Sequence, residues 1–519
     1  MRRVRGLVVV LVLIGGLAAC SDDDDGGGGT NNPPPSTGSP PAGGDGSGGA
    51  TGQGGGGTGD GTGTGGDTGG TGDGAGTGGD TGGTGGGGVG PVGGAPGGGG
   101  GGGAPGGGGG GAPGGGGGAP GGGGGASAQH VSPAPAANAE IAMDAAGNAI
   151  AVWEQSDGNI YFSRYSGAAW SAPTLLETLD TPATQPQIAM NNAGNAMAVW
   201  VQPPAAGAGN YTFARYFSGG SWQAPVVISD EPFASNDAPL SQKPRVAIDD
   251  SGTALATWEE QSFRVASVGL IGNAFRPGSG WVGDEVLHRA IAYEARIAMD
   301  GSGNGVVAYL HDPGEGDTAR VLHYTAGSGW GASIELERAF SRDIHVSMNA
   351  AGEALAAWSQ YDLYGPNRGT PTDVRVSRYI NGAWTAPHAI EVSDTGDSTQ
   401  VWTTLAGNGN ATVVWRKDDA GVNNVYAARM EGGTWLQPTL VGQGAEPRVA
   451  SPGNGPVIAW LRGSDVMMSH YTGSNTWQAP QNVESNAEAA QGVRLTSSSH
   501  ANAFALWRQL NGVWARLLP

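Results

Sequence analysis

Between residues 127 and 519 the chain alternates small or apolar residues with polar ones over short runs, and the runs keep ending in an aromatic. "NAIAVW" reaches Trp153, "NAMAVW" Trp200, "TALATW" Trp258 and "NGVVAY" Tyr309. "EALAAW" reaches Trp358, "NATVVW" Trp415, "GPVIAW" Trp460 and "NAFALW" Trp507. Successive anchors stand 45–58 residues apart, a propeller-type period. Each copy holds four short strand candidates, in the first "EIAMD", "NAIAVWEQ", "NIYFSRY" and "AWSAPTLLE". A period of two puts Ala149, Ala151 and Trp153 on one face of the second strand, with Ile150 and Val152 on the other. Small residues on one face let a neighbouring sheet approach closely. No amphipathic helix pattern appears. The pattern predicts an all-β chain and a single β-propeller of eight four-stranded blades, with seven as the alternative number.

The chain ends bear on closure. The eighth copy stops after its third strand, "GVWARLLP" (Gly512–Pro519). The segment "SAQHVSPAPAANAE" (Ser127–Glu140) precedes the first copy and has the character of a fourth strand such as "WQAPQNVE". An N-terminal strand completing the last blade is therefore expected.

Asp144, in "IAMDAAGNAIAVW" (Ile141–Trp153), invites a catalytic or metal-binding reading. Its counterparts are Asn191, Asp249, Asp300, Asn349, Ala406 and Ser498, while Gly147 recurs as Gly194, Gly252, Gly303, Gly352, Gly409 and Gly453. A working carboxylate would not tolerate Asn, Ala and Ser. A hairpin turn needs only a short acceptor first and Gly at positive φ last, so Asp144 is predicted to be a turn residue.

Two other recurring positions are candidates for binding. In the third strand stand Arg164, Arg215, His323, Arg378, Arg429, His470 and Arg516. They read as a repeated structural hydrogen bond or a cation–π contact against a blade tryptophan, or else as one sugar site per blade. At the start of the inner strand, thirteen residues before most anchors, stand Glu140, Gln187, Arg245, Arg296, His345, Trp402 and Arg494, with Arg448 twelve before its own. These eight should gather around one mouth of the central channel. They differ from blade to blade, as one asymmetric ligand would require, and four arginines favour an anionic group. A solvated polar rim is the plain alternative. The variable connections Asp230–Lys243, His311–Asp317 and Gln360–Asp373 fall on the face where the inner strands begin, leaving one face plain and the other decorated.

Composition adds the rest of the chain. Most of the 102 glycines lie before residue 127, in a stretch without Lys, Arg or any aromatic. Such a segment cannot offset its ordering entropy, so residues 20–126 are expected to be a disordered, acidic, Gly-rich tether. Its r.m.s. span would be about 50–60 Å. The formal charge of −20 argues against a nucleic-acid partner. "MRRVRGLVVVLVLIGGLAAC" reads as a secretory signal peptide over residues 1–19. Leu17-Ala18-Ala19-Cys20 resembles a bacterial lipobox, which implies acylation of Cys20, the chain's one cysteine. With Ser21 next, the lipoprotein resemblance implies outer-membrane anchoring, facing the periplasm or the cell surface. No H-E-x-x-H, Cys cluster, phosphate loop or EF-hand loop is present, and neither a metal nor another cofactor is expected.

The repeat region resembles those of uncharacterised bacterial surface lipoproteins and, more distantly, propeller lectins and sialidases. The likeness is architectural, and fold does not dictate function. It implies binding of a glycan or other surface polymer through the decorated face. The alternatives are a sialidase-like or other carbohydrate-active enzyme, and a protein-interaction scaffold in the cell envelope. For the enzyme, Tyr293, Glu294 and Arg296 offer the residue types of a sialidase site. The Asp-box spacing of three residues from Gly to Trp is not matched, since Gly147 to Trp153 spans six.

Overall fold

The computed structural model describes residues 127–519 apart from 206–207, 230–238, 262–267, 315, 339, 362–370, 392–395, 485, 499–501, 511 and 519. The signal peptide, Cys20 and the tether lie outside the described residues, as do the centres of the Asp230–Lys243 and Gln360–Asp373 loops. The described elements are all β: eight antiparallel sheets, each ordered inner, second, third and outer strand. Blade 1 runs Ala136–Met143, Ala149–Gln155, Ile160–Tyr165 and Thr174–Leu175. In blades 2 to 7 the outer strand is two short pieces, both paired with the third strand. Pro225 stands between the pieces Ser221–Trp222 and Val226–Val227 of blade 2, where it supplies no ladder N–H.

The second strands carry the core. All seven anchor tryptophans and Tyr309 are fully buried. Their two faces serve different neighbours. Ile150 and Val152 of blade 1 pack with Ala196, Ala198 and Trp200 of blade 2. Leu355 and Ala357 of blade 5 pack with Ala411, Val413 and Trp415 of blade 6. These interfaces set the small-residue face of one blade, with its aromatic, against the bulkier face of the blade before it; blade 7 departs, with Ile458 beside Trp460 and against Val414 of blade 6. In blade 4 the small position is Gly305, where an added Cβ would come 2.4 Å from Leu255 of blade 3. Any larger residue there would have to displace the Leu255 side chain.

The ring closes as expected. Gln129–Ser132 pairs with Gly512–Leu518 as the outer strand of blade 8. Phe504, Leu506, Val513 and Ala515 of blade 8 then pack with Ala149, Ala151 and Trp153 of blade 1 in one cluster, which also contains Val131. Eight blades follow, not seven. Val131 is 2% exposed, so Val131→Asp places a carboxylate in the closing interface. It should lower stability by about 3 kcal/mol or more, read as a shift of the thermal or denaturant midpoint. A silent substitution would mean that the N-terminal strand does not close the ring.

Candidate binding site at the channel mouth

Every inner strand shifts register just before its candidate residue, through a β-bulge. The residue two positions ahead of each candidate lies in the left-handed region: Asn138 (φ 43), Gln185 (56), Lys243 (49), Glu294 (53), Asp343 (52), Gln400 (57), Glu446 (54) and Gly492 (60). For a residue with a Cβ this conformation costs about 1–2 kcal/mol, and only Asn138, Asp343 and Gly492 are of types that adopt it readily. Tertiary hydrogen bonds hold the others. The Gln185 side chain accepts the Lys243 N–H at 2.6 Å, Glu294 that of Asp343 at 3.1 Å, and Gln400 that of Glu446 at 2.8 Å. The Gln185 N–H goes to Glu154 and the Glu294 N–H to Glu259 at 3.0 Å. In all five cases the acceptor belongs to the preceding blade, so these bonds tie blades 1 to 5 in succession, and blade 6 to blade 7, at the level of the bulges. Bulges re-aim side chains, and here they do so at each blade's candidate residue.

All eight candidates line one cavity of about 260 Å³. Arg245, Arg296, Arg448 and Arg494 each donate from Nη1 to the carbonyl just before them, at 3.1–3.3 Å. This shared fold-back gives the four guanidiniums a common conformation. Arg494 Nε also donates to Glu140 Oε1 at 2.7 Å, and Gln187 Nε2 reaches the same oxygen at 3.3 Å. Across the mouth the His345 and Trp402 rings lie 3.9 Å apart, and the Arg448 guanidinium sits 4.4 Å from the Trp402 ring. Arg448 is 5% exposed.

Asp144 is a turn residue. Its Oδ1 accepts the Asn148 N–H at 2.8 Å, and Gly147 takes φ 85. Asn191, Asp249, Asp300 and Asn349 accept the corresponding N–H at 2.7–3.1 Å, so Asn and Asp are interchangeable there.

The third-strand set divides in two. Arg164, His323, Arg378, Arg429 and His470 pair with the residue three before their anchors. Arg215 and Arg516 pair with Ala198 and Ala505, two before theirs. With a period of two they project from the opposite face. The contacts agree: Arg164 lies over Phe217 of blade 2 at 4.5 Å, and Arg429 over Tyr471 of blade 7 at 4.6 Å, both on the next blade. Arg215 and Arg516 donate backwards, to Leu176 and Val483 of the blade before. These are contacts between blades, and their aromatic partner is the neighbour's third-strand Phe or Tyr rather than an anchor tryptophan.

Tyr293 and Glu294 do not line the mouth cavity. Tyr293 packs at the interface of blades 4 and 5, and burial with the nearby Asp317 and Glu294 raises its pKa above the ordinary tyrosine value. A nucleophile needs the opposite shift.

The belt of left-handed residues was missed in the sequence, although a polar residue two before seven of the eight candidates, with Gly492 before the eighth, was a visible signal. Glu259, on the second strand of blade 3, supports the belt by pairing with Lys243 at 3.5 Å and accepting the Glu294 N–H. Burial pushes the Glu259 carboxyl above the usual carboxylate range, against the pull of Lys243. A raised folded-state pKa gives stability that is fully present below the unfolded value of 4.5 and is lost as pH rises through the folded value. Glu259→Gln keeps an acceptor and removes the charge. It should therefore match wild type at low pH and gain on it above about pH 4.5, in denaturant melts run across pH.

No protein-family model matches the chain, and no curated protein does. Solved structures do, at low identity. A PL25 ulvan lyase bound to -[GlcA(1-4)Rha3S]- is similar at 10% identity over 66% of this chain and 94% of that one, with a TM-score of 0.45. The BP39L lectin from Burkholderia pseudomallei is similar at 12% identity, over 67% and 99% of the two chains, with a TM-score of 0.45. A leech intramolecular trans-sialidase is similar at 8% identity, over 73% and 90%, with a TM-score of 0.35. Likenesses this distant assign no activity to the chain.

Proposed function

We propose that this chain is a lipid-anchored envelope protein whose propeller binds an anionic glycan or other acidic surface polymer at the channel mouth. One observation carries the reading: eight side chains, one from each blade and of five kinds, line a single cavity. Four of them are arginines, in a chain whose formal charge is −20. Their fold-back onto the preceding carbonyl lowers the entropy lost when a ligand is bound. In this reading Cys20 carries the acyl chains on the outer membrane, and residues 21–126 hold the head clear of the lipid surface.

A glycoside hydrolase needs a pair of carboxyl groups about 5–10 Å apart across the scissile bond. Among the described residues that line the mouth, Glu140 is the one carboxylate, and Arg494 and Gln187 bind it. That favours binding over turnover. On a glycan array the wild-type chain should retain acidic glycans, and Arg245→Ala with Arg296→Ala should abolish retention. A fluorogenic sialoside should not be turned over. Turnover that is lost in Glu294→Gln would sink the binding reading, and a single stoichiometric envelope protein in pull-downs, without glycan retention, would favour a scaffold. Cys20→Ser should move the protein from the membrane fraction to the soluble fraction of the cell.

A further inference from the structure

The joint between blades 3 and 4 differs in chemistry from its neighbours. At two other joints a carboxylate near the end of one blade's outer strand meets the residue two beyond the next blade's anchor. Glu484 Oε2 accepts from Gln509 Nε2 at 3.2 Å, and Glu391 pairs with Lys417. In the same places between blades 3 and 4 stand His288 and His311, and the anchor there is Tyr309, the one anchor that is not a tryptophan. Bonding partners fix where the protons lie. The Ile291 carbonyl only accepts, so His311 Nδ1, 2.9 Å from it, carries a hydrogen. His288 Nε2 stands 3.1 Å from the same Nδ1 and therefore faces it with its lone pair. The hydrogen of neutral His288 is then on Nδ1, which donates to the Tyr309 hydroxyl at 3.2 Å. Tyr309 is left to donate to Ser333 Oγ, which Arg320 Nε also reaches at 2.9 Å. Both nitrogens of His288 are thus used across the joint, one as donor and one as acceptor.

We infer that this joint is an acid-sensitive latch: a second ring proton on His288 sets two N–H donors face to face, and the ring loosens here first. His311 has no such constraint, because its Nε2 can take a proton while Nδ1 keeps its bonds. Blade 4 sets Tyr309 and His311 of its second strand against His288, with Arg320 of its third strand beside them and Glu335 of its outer strand holding Arg320 at 2.7 Å. On the strand of His288 itself stands Glu285, with Arg289 next in the chain. The third strand of blade 3, which pairs with it, carries one ionisable side chain, Arg276, at its far end from Leu270, the partner of His288. No described carboxylate bonds to either ring. Burial first, and then His311 and Arg320, push His288 down from 6.5 to about 4. A lowered histidine pKa gives stability that is whole above the unfolded value of 6.5 and is lost as pH falls toward the folded value. At the joint of blades 5 and 6 the sign is opposite, since burial raises the Glu391 carboxyl.

The test combines amide-exchange mass spectrometry and denaturant melts of the full chain between about pH 7 and pH 4.5. After correction for the intrinsic exchange rate, protection should fall first in Glu285–His288 on acidification, while Gln129–Ser132 and Thr439–Gln443 keep theirs. The double variant His288→Glu with His311→Gln gives this joint the pair that Glu484 and Gln509 form between blades 7 and 8. Relative to wild type, its folded-to-unfolded ratio should improve by at least about tenfold between those two pH values. Should the double variant not fold, His288→Gln, which keeps one donor and one acceptor, takes its place in the melts, and the exchange experiment needs no variant. Protection lost first at Gln129–Ser132, protection lost evenly around the ring, or a variant that follows the wild-type pH profile would overturn the inference.

Discussion

The structure depends on how closely one sheet can approach the next. A propeller blade has no core of its own, and it buries its apolar faces only against the blades beside it. The small residues at alternate positions of most second strands set that distance, with Ile458 of blade 7 the exception. Beside Leu255, where even a methyl would press on the leucine side chain, the chain has Gly305. The aromatic at the strand's end then fills the remaining space, and all eight anchors are fully buried. The inner strands of neighbouring blades then meet one another along the channel.

The mouth is a second consequence of repetition. Eight bulges at one level turn eight variable side chains into one rim. Each left-handed residue stores a little strain, and the preceding blade holds it in several cases through a carboxylate or amide. Such strain persists only where the surroundings over-determine it. The rim is therefore positioned by its neighbours, blade by blade, rather than by any single loop. Variation can fall on Glu140 and its counterparts without disturbing the backbone that places them.

The repeat was legible because its anchor is a large aromatic preceded by small residues, a pattern with a period of two that survives wide variation elsewhere. Asp144 was legible for the same reason: seeing Asn191 and Ala406 in its place removed chemistry as an explanation. The third-strand arginines were only half legible. Alignment by residue type put Arg215 beside Arg164, but their partners Ala198 and Ile150 are one step apart in the repeat, and in a strand one step means the other face. The left-handed belt was harder still. Gln, Lys and Glu have no local preference for that conformation, and it arises from hydrogen bonds donated across blades, which a single repeat cannot reveal.

The closing strand has a consequence for the order in which the molecule forms. Gln129 pairs with Ala515, so the first strand of the propeller to be synthesised finds its partner only when nearly all of the chain has emerged. Contacts of such long sequence separation form slowly. Until then the Gln129–Ser132 segment waits without its partner, and an open edge is a template for the wrong chain. The waiting segment is only four residues long, "QHVS", with polar residues at three of them. A strand that short offers little to a second copy, and the ring can be completed late without leaving a strong adhesive edge in the meantime.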